Sequence, residues 1–317
     1  MKLSREKRRE VALYQSVYFY DRNTRFNTDI HPDEFFHTTK FRSYFEDDNR
    51  IDGIIPINKI EQSIFFKDKY YYPKTYIKNP KLEGIWFIKP TDGSWGSGIE
   101  ITDDLSSVKN NKKAIYQQSI VNPLLHKNKK IDFRTFLLLQ TFEGKFRAYF
   151  YKDSMLRWTT LDYKKDDFTL ERQITNYLAE RDGKFFGNTM VRAYSKHTYH
   201  YYKELHETMK NVIVDISKSI FDRVNNKTQR NIFQLFGVDF IPDEDKNVWL
   251  LEMNGNPGPY LHLDRPLTKQ LKNWTLDIVE DIFDLTVYPM YYGRKKKLGE
   301  FELVFEKDLQ FEKWIEV

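Results

Sequence analysis

The stretch VDFIPDEDKNVWLLEMN, residues 238–254, consists of two apolar segments joined by polar residues, and each segment contains a carboxylate. Such a pattern predicts a β-hairpin. Side chains alternate between the two faces of a strand, so Glu252 and Asn254 share a face. If the hairpin turns near Glu244–Lys246, Asp239 lies roughly opposite Glu252. Three oxygen-bearing side chains then converge on one patch.

These three side chains are candidate metal ligands. Hard divalent cations such as Mg²⁺ take oxygen ligands, commonly one or two carboxylates together with phosphate oxygens. The alternative is an amphipathic hairpin that exposes its carboxylates to solvent. Strands this apolar are usually covered on at least one face, where an ionised carboxylate needs a partner. We therefore predict a metal site formed by Asp239, Glu252 and Asn254.

A lysine and a glycine-rich loop follow a second apolar segment. Ile85–Ile88 reads as a buried strand with Lys89 at its end, and Gly93, Gly96 and Gly98 lie in the loop behind it. A lysine in this place can point at a phosphate, and glycines let backbone N–H groups approach phosphate oxygens. The loop has neither Walker A nor Rossmann spacing. Taken alone, it also fits an ordinary mobile loop.

Two arginines are candidate anion-binding residues. Asp132 and Arg134 are two positions apart at the head of the predicted strand Phe133–Thr141, so they project from the same face. An arginine offers a planar fork to phosphate or carboxylate. The alternative is an Asp–Arg pair that only solubilises a sheet edge. Arg157 has two interpretations as well, a site cation or a surface arginine stacked on Trp158.

Composition restricts the class of protein. The 317 residues are 40% hydrophobic and 31% charged, which is typical of a globular soluble protein. No apolar run approaches the roughly 20 residues of a membrane span, and the basic N-terminus lacks the apolar region of a secretory signal. The absence of cysteine excludes disulfides, thiol catalysis and cysteine zinc sites. We expect a cytoplasmic protein without a membrane partner.

Positive charge is clustered although the net charge is only +5. The three basic runs are Lys2–Arg9, Lys127–Lys130 and Arg294–Lys297. They are either solvated surface segments or a means of attracting an acidic polymer. No nucleic-acid motif is present, which disfavours a nucleic-acid partner. We predict that Lys127, Lys129 and Lys130 lie near the mouth of the site, because they precede the strand that carries Asp132.

Periodicity predicts an α+β fold, or an α/β fold with a mixed sheet. Residues 199–224 have helical apolar spacing, and a last helix is predicted from Trp274 to Leu285. The predicted strands are Ile85–Ile88, Ala114–Ile120, Phe133–Thr141, Lys145–Tyr151, Phe233–Ile241 and Val248–Met253.

Eight segments, in this order, resemble the tubulin–tyrosine ligase-like family, a branch of the ATP-grasp ligases. They span about residues 73–288 and are Phe87–Pro90 with its glycine loop, Ile115–Ile120, Pro123–Leu125, Ile131–Thr135, Leu156–Arg157, Ile174–Asn176, Leu235–Phe240 and Trp249–Asn254 running into Asn256–Pro257. The resemblance implies an ATP-grasp fold that holds nucleotide between two subdomains. Its expected parts are an N-terminal region (1–75), a central subdomain (76–120), a C-terminal subdomain (121–290) and a basic, strand-forming tail (291–317).

The resemblance also implies roles for individual residues. The nucleotide-binding set is Lys89, Gly93, Ser94, Gly96, Gly98, Gln117, Gln118, Ile120, Lys130, Asp132, Thr175 and Asn176. Within it, Lys89 and the loop hold phosphates, and Gln117, Gln118 and Ile120 lie along the adenine. The catalytic set is Arg134, Arg157 and Glu252, and the Mg²⁺ set is Asp239, Glu252 and Asn254.

The implied activity is an ATP- and Mg²⁺-dependent ligase that joins tyrosine, glutamate or glycine to a carboxylate of a protein acceptor through an acyl-phosphate. Its partners would be ATP, a free amino acid and a protein acceptor, for which an acidic tail such as tubulin's suits the basic runs. Phosphorylation gives a carboxylate a leaving group, so such a site needs metal and cations rather than a protein nucleophile. The alternatives are an ATP-grasp ligase for a non-tubulin acceptor and an inactive nucleotide-binding module with an acidic partner.

The chain departs from the family pattern at several places. Trp95 and Ser97 stand where the glycine loop often has basic residues, and Gln118–Ser119 replaces the common lysine–tyrosine pair. Gln173 stands in place of a usual histidine. The sequence does not place the second lysine of an ATP-grasp site, for which Lys67 and Lys69 are candidates.

Overall fold

A computed structural model describes residues 58–92, 96–175, 178–181, 184–187, 189–192, 199–225, 232–255, Pro257, Trp274, most positions from 277 to 289, and 296–310. Several predictions lie outside these residues. They concern Gly93, Ser94, Asn176, the basic run Lys2–Arg9, and Arg294 with Lys295.

A small antiparallel sheet forms one wall of the molecule's cleft. Its strands are β1 (Thr75–Tyr76), β2 (Glu83–Pro90), β3 (Glu100–Asp104) and β4 (Ala114–Gln118), in the order β1–β4–β2–β3. The predicted strand at Ile85–Ile88 is thus confirmed within β2, and Lys89 is near its end.

A larger sheet of eight strands forms the body of the fold, and its neighbouring strands pair in the antiparallel direction. These strands are β5 (Leu125–His126), β6 (Lys129–Phe142), β7 (Lys145–Tyr151), β8 (Met155–Trp158), β11 (Thr189–Arg192), β12 (Ile232–Pro242), β13 (Val248–Asn254) and β14 (Phe301–Asp308). Strands β9 (Leu178–Arg181) and β10 (Lys184–Gly187) form a separate hairpin. Sheets mixed with helices confirm the predicted α+β class.

Helical residues are described at Trp274, 277–278 and 280–282, where the last helix was predicted. Three further α-helices and a π-helical turn have both of their ends described. They are α1 (Lys59–Phe65), α2 (Leu170–Gln173), α3 (Tyr199–Val224) and the turn Phe283–Val287. The helical spacing predicted for residues 199–224 is confirmed, since Leu205, Met209 and Ile216 are all fully buried. None of the helices within the described ranges is long and apolar enough to cross a membrane.

Strand β6 is buried along almost its whole length because both of its faces are covered. Phe133 and Leu137 enter the main core beside α3, whereas Phe136 and Leu138 enter a second core beside Trp274. Even-numbered side chains therefore share one face, as strand geometry requires. At the start of β6 this face carries charged residues instead of apolar ones, and these charges reach the cleft.

The predicted hairpin of β12 and β13 is confirmed, and Asp239 pairs with Glu252. The next pair is Phe240 with Leu250, so Leu251 is an extra residue that forms a β-bulge. A bulge places two residues opposite one and interrupts the alternation of side chains. As a result, Leu251 and Glu252 both face the cleft, while Leu250 and Met253 are buried in the main core.

Candidate functional site

A cleft lies between the two sheets and contains about 830 Å³ of space, part of it open to solvent. Strands β2 and β4 form one wall, and β6, β12 and β13 form the other. The charged and polar lining residues are Lys59, Lys89, Ser97, Gln117, Gln118, Ser119, Lys130, Asp132, Gln173, Thr175, Asp239 and Glu252. The apolar lining includes Phe87, Ile99, Ile120, Ile174, Ile241 and Leu251.

Two carboxylates and two arginines form a buried cluster at the base of the cleft. Arg157 Nε and Nη2 donate to the two oxygens of Asp132 at 2.6 Å each. Arg134 Nη2 donates to Asp239 Oδ2 at 2.8 Å, and its Nε also contacts this carboxylate. Arg157 Nη2 lies 3.1 Å from Asp239 Oδ2, which joins both pairs into one network. Each side chain in the cluster is at most 8% exposed.

The two carboxylates of this cluster have opposite pKa shifts. Burial raises the pKa of Asp132, and this effect exceeds the lowering by Arg157 and by the Thr175 hydroxyl, which donates to Asp132 at 2.6 Å. Burial also raises the pKa of Asp239, but its ion pairs with Arg134 and Arg157 outweigh that effect and hold the pKa below the usual range. Asp239 is therefore the carboxylate that the network holds most firmly in its charged form.

Glu252 has a different environment. Its Oε1 accepts a hydrogen bond from Asn254 Nδ2 at 3.1 Å, which confirms that the two side chains share a face. None of the ion pairs formed within the described part of the chain includes Glu252. Its carboxylate is partly exposed in the cleft. Glu252 is therefore open to a cation from outside, whereas Asp132 and Asp239 already have arginine partners.

Lysines supply positive charge to the cleft, and Lys89 of β2 lies on the wall opposite the carboxylates. Lys89 Nζ donates to Gln117 Oε1 at 2.5 Å, and Gln117 Nε2 donates to Thr75 Oγ1 at 3.2 Å. Burial lowers the pKa of Lys89 to about 8, although the nearby Glu252 partly opposes this shift. The ammonium is thus oriented into the cleft in a place where its charge is costly without an anion.

Lys130 is the second cleft lysine with a strongly shifted pKa. Its ammonium lies 5.0 Å from the ring centre of Phe87 and 5.7 Å from that of Tyr163. Burial lowers its pKa to about 7, and the neighbouring charge of Lys89 acts in the same direction. Two lysines whose charged forms are both disfavoured by burial in the cleft are suited to receive an anionic group.

The donor set of the cleft suits Mg²⁺ as one partner of a phosphate ligand. Among the described residues, no group of three His, Cys, Asp or Glu side chains is arranged to hold a metal by itself. Asp239 and Glu252 pair across the hairpin and both line the cleft. Two carboxylates completed by phosphate oxygens are a common Mg²⁺ environment, whereas a cage made of protein ligands alone is not. The residues present therefore fit Mg²⁺ with a phosphate ligand.

The structure brings most of the predicted site residues to this cleft. The described ones that line it are Lys89, Gly96, Gln117, Gln118, Ile120, Lys130, Asp132, Thr175, Asp239 and Glu252. Arg134 and Arg157 lie behind the carboxylates that they bind, and Asn254 lies beside Glu252. Gly98 does not line the cleft but packs against Pro90, which does. The catalytic and metal roles of these residues stay predictions.

Neither candidate for a second lysine lies on the cleft. Lys69 pairs with Asp215 of α3 at 2.7 Å, and Lys67 is exposed beside Asp68. Sequence reasoning missed Lys59, which lines the cleft from the first turn of α1. The available signal was Asn58, a favoured helix N-cap residue, whose side chain accepts a hydrogen bond from Glu61 N. That signal predicts where α1 begins, but it does not indicate which face of α1 meets the cleft.

Comparison with known proteins places the chain in a family. The sequence model of the tubulin-tyrosine ligase family matches residues 5–293. The chain belongs to the tubulin–tyrosine ligase family. This membership supports the α+β fold that the resemblance implied.

Similar curated proteins modify tubulin. Tubulin glycylase 3C of Tetrahymena thermophila is 26% identical over 271 residues, which cover 78% of this chain and 25% of the relative. Tubulin glycylase 3A of Drosophila melanogaster is 25% identical over 276 residues, or 80% and 27% of the two chains. Tubulin polyglutamylase ttll-4 of Caenorhabditis elegans is 26% identical over 219 residues, or 62% and 35%. The matches thus span a quarter to about a third of these relatives' lengths.

In this member of the tubulin–tyrosine ligase family, the side chain of Gln173 forms hydrogen bonds to the backbone of a neighbouring loop. Its Nε2 donates to the carbonyl oxygens of Lys164 and Asp167 at 2.6 and 2.8 Å. The side chain is 3% exposed and lines the cleft next to Thr175. Gln173 therefore connects the loop before α2 to the edge of the site.

Proposed function

We propose that this chain binds ATP with Mg²⁺ in the cleft and joins an amino acid to a carboxylate of a protein acceptor. The observation that carries the proposal is the charge balance of the site. Asp132 and Asp239 are compensated by Arg157 and Arg134. Glu252 remains with the lysines Lys89 and Lys130. One carboxylate and two amines make a cleft that attracts a polyphosphate carrying a divalent cation.

The arrangement supports a role for each wall. Gln118–Ile120 and the apolar side chains Phe87 and Leu251 offer a surface for a purine base, and Lys89 and Lys130 offer cations for its phosphates. Asp239 and Glu252 would hold Mg²⁺, which when bound neutralises phosphate charge and polarises the transferred phosphoryl group. The buried guanidinium groups of these arginines would hold the two carboxylates in place at the base of the cleft, since Arg134 donates to Asp239. Arg157 donates to Asp132 in the same way.

The chemistry follows from the poor reactivity of a carboxylate. An oxygen of the acceptor carboxylate attacks the γ-phosphorus of ATP, which gives an acyl-phosphate and ADP. The amine of the amino acid then attacks the acyl carbon, phosphate leaves, and an amide bond forms with loss of a proton. This chain's contribution is to orient the phosphates and to stabilise developing negative charge with Lys89 and Lys130, without a covalent protein intermediate.

The names of the relatives favour glycine or glutamate as the amino acid and tubulin as the acceptor. The test is mass spectrometry of tubulin incubated with the chain, ATP, Mg²⁺ and glycine, glutamate or tyrosine in separate reactions. A mass increase of one amino acid residue that requires both ATP and the chain supports the ligase. Modification in the absence of ATP, or no modification with any of the three, contradicts it.

The basic run Lys127–Lys130, which extends into the start of β6, divides into three environments. Lys130 lines the cleft, Lys129 donates to the carbonyl oxygen of Thr160 and lies 3.6 Å from Asp162, and Lys127 is exposed in the tight turn between β5 and β6. Lys127 is thus the member of this run that is exposed to attract an acidic acceptor tail. Its role near the mouth of the cleft stays a prediction.

The change Lys89→Ala should weaken nucleotide binding. ATP with Mg²⁺ should raise the melting temperature of the unaltered chain, because a ligand that binds only the native state stabilises it. Removing the ammonium that faces the cleft should reduce this rise to less than half at equal ATP concentration. The measurement is thermal unfolding across millimolar ATP. Lys218→Ala, at an exposed position of α3, is the control and should respond like the unaltered chain.

Nucleotide binding at pH 8 should take up protons. At that pH Lys130, whose pKa in the cleft is about 7, is mostly neutral, and Lys89, whose pKa is about 8, is about half neutral. Phosphate oxygens favour the charged amines and raise both pKa values, so the complex binds roughly one proton more than the free chain. Titration calorimetry in two buffers of different ionisation enthalpy measures this number.

Lys130→Met is the matched variant for the proton measurement. It removes the group that is most neutral at pH 8, so proton uptake should fall to about half or less. Uptake should also decline toward pH 6, where both lysines are already protonated. A binding enthalpy that is the same in both buffers at pH 8 would show that the two lysines do not contact the phosphates.

A further inference from the structure

Gln62 makes two hydrogen bonds to the backbone of the strand that carries Glu252. Its Nε2 donates to the carbonyl oxygen of Met253 at 2.6 Å, and its Oε1 accepts from Met253 N at 2.8 Å. Gln62 lies in α1 and is 2% exposed, and Met253 is fully buried. One side-chain amide therefore forms hydrogen bonds with both the N–H and the C=O group of a single residue, as a neighbouring strand would.

The β-bulge explains why Met253 needs this partner. In a regular antiparallel strand the N–H groups of residues two apart point to the same edge. Leu250 N points away from β12 and donates to the carbonyl oxygen of Tyr71 at 2.8 Å. Because Leu251 is the extra residue of the bulge, the next N–H group after Leu250 that points away from β12 is that of Met253 and not that of Glu252. Buried backbone groups left without partners destabilise a structure, so the bulged register depends on an acceptor and a donor at this edge.

The same register determines where Glu252 points. With the bulge, Leu251 and Glu252 both face the cleft and Asp239 remains opposite Glu252. Without it, side-chain alternation from Leu250 would turn Glu252 toward the core and away from the cleft. Hydrogen bonds to Met253 therefore favour the one register that presents the Glu252 carboxylate.

We propose that Gln62 is a positioning residue for the metal site, acting through Met253 to hold Glu252 in the cleft. This inference rests on the proposed function, in which Glu252 binds Mg²⁺. Helix α1 then contributes to the site twice, since Lys59, three residues before Gln62 and on the same side of the helix, lines the cleft.

The test uses the full chain and the variant Gln62→Met, which keeps the length of the side chain and removes both hydrogen bonds. The readout is the Mg²⁺ concentration that gives half of the ATP-dependent rise in melting temperature. It should increase at least about tenfold, as is usual when a residue that orients a metal ligand is lost. The matched control is Tyr71→Phe, which removes a 2.7 Å hydrogen bond from the same segment to Asp215 but leaves Met253 untouched. It should change the Mg²⁺ requirement less than about twofold.

A second measurement needs no variant. Hydrogen exchange at the Met253 amide of the unaltered chain should be as slow as that at Leu250, since both are bonded to the 58–72 segment. Fast exchange at Met253 overturns the inference even if Gln62→Met does not fold. A Mg²⁺ requirement that is equal in Gln62→Met and Tyr71→Phe overturns it as well. If MgATP does not raise the melting temperature of the unaltered chain, the proposed function is overturned as well. That result distinguishes a failure of the proposed function from a failure of the role of Gln62 alone.

Discussion

Glu252→Gln is expected to reduce ATP-dependent amino-acid ligation by roughly a hundredfold or more while the fold stays intact. The substitution keeps the shape of the side chain and its contact with Asn254 Nδ2, but it removes the cleft carboxylate that has no arginine partner. Among the described residues Glu252 is in no ion pair, so its neutralisation breaks no buried salt bridge, although it removes the charge that partly compensates Lys89. Activity and stability should therefore separate in this variant.

The measurements for Glu252→Gln are ADP release, the mass of the acceptor and the melting temperature without ligand. The melting temperature should lie within about 2 °C of the unaltered chain, which corresponds to less than about 1 kcal/mol. Glu244→Gln, in the exposed turn of the same hairpin, is the control and should keep its activity. Unchanged ligation by Glu252→Gln would remove this residue from the metal site.

Asp239→Asn is expected to behave differently, although sequence reasoning gave both carboxylates the same role. Asp239 accepts hydrogen bonds from Arg134 and lies 3.1 Å from Arg157, and all three side chains are buried. Removing its charge leaves two buried guanidinium groups with Asp132 as the carboxylate of the cluster. Loss of one partner from a buried ion pair costs about 3–5 kcal/mol, so this variant should lose stability as well as activity.

The stability loss in Asp239→Asn should appear as a fall in melting temperature on the order of ten degrees. Asp162→Asn supplies the control, because Asp162 pairs with Lys129 at an exposed site and such pairs contribute at most about 1 kcal/mol. A melting temperature like that of the unaltered chain would mean that the arginines do not depend on Asp239. In the double variant with Glu252→Gln the losses of activity should not add, since both residues serve one site.

The sequence predicted the hairpin of β12 and β13 because alternating apolar residues and a polar turn are local signals. The predicted turn also placed Asp239 roughly opposite Glu252. In the structure this pairing depends on the bulge, because the preceding pair of Phe240 with Leu250 would otherwise put Leu251 opposite Asp239. The bulge at Leu251 was missed, since no glycine or other local signal marks it and it is stabilised by Gln62, which is 191 residues away. Contacts of this kind depend on the three-dimensional arrangement and have no periodicity along the chain.

The arginines show a second limit of sequence reasoning. Spacing placed Asp132 and Arg134 on one face of β6, and this prediction is correct because it depends only on alternation. It did not indicate that Arg134 binds Asp239 while Asp132 binds Arg157. Partners across neighbouring strands require the strand order, which comes from packing of the whole sheet. Lys59 was missed for the same reason, since nothing local brings α1 to the cleft.

Strand β6 has a consequence for how this chain can change during evolution. Its even-numbered side chains pass from Lys130 and Asp132 at the cleft to Phe136 and Leu138 in the second core, while the odd-numbered ones fill the main core. Substitutions within β6 alter one position at a time. Insertion or deletion of a single codon would exchange the two faces beyond that point and move charges into apolar cores. Length variation among descendants of this gene should therefore accumulate in loops and spare residues 130–138.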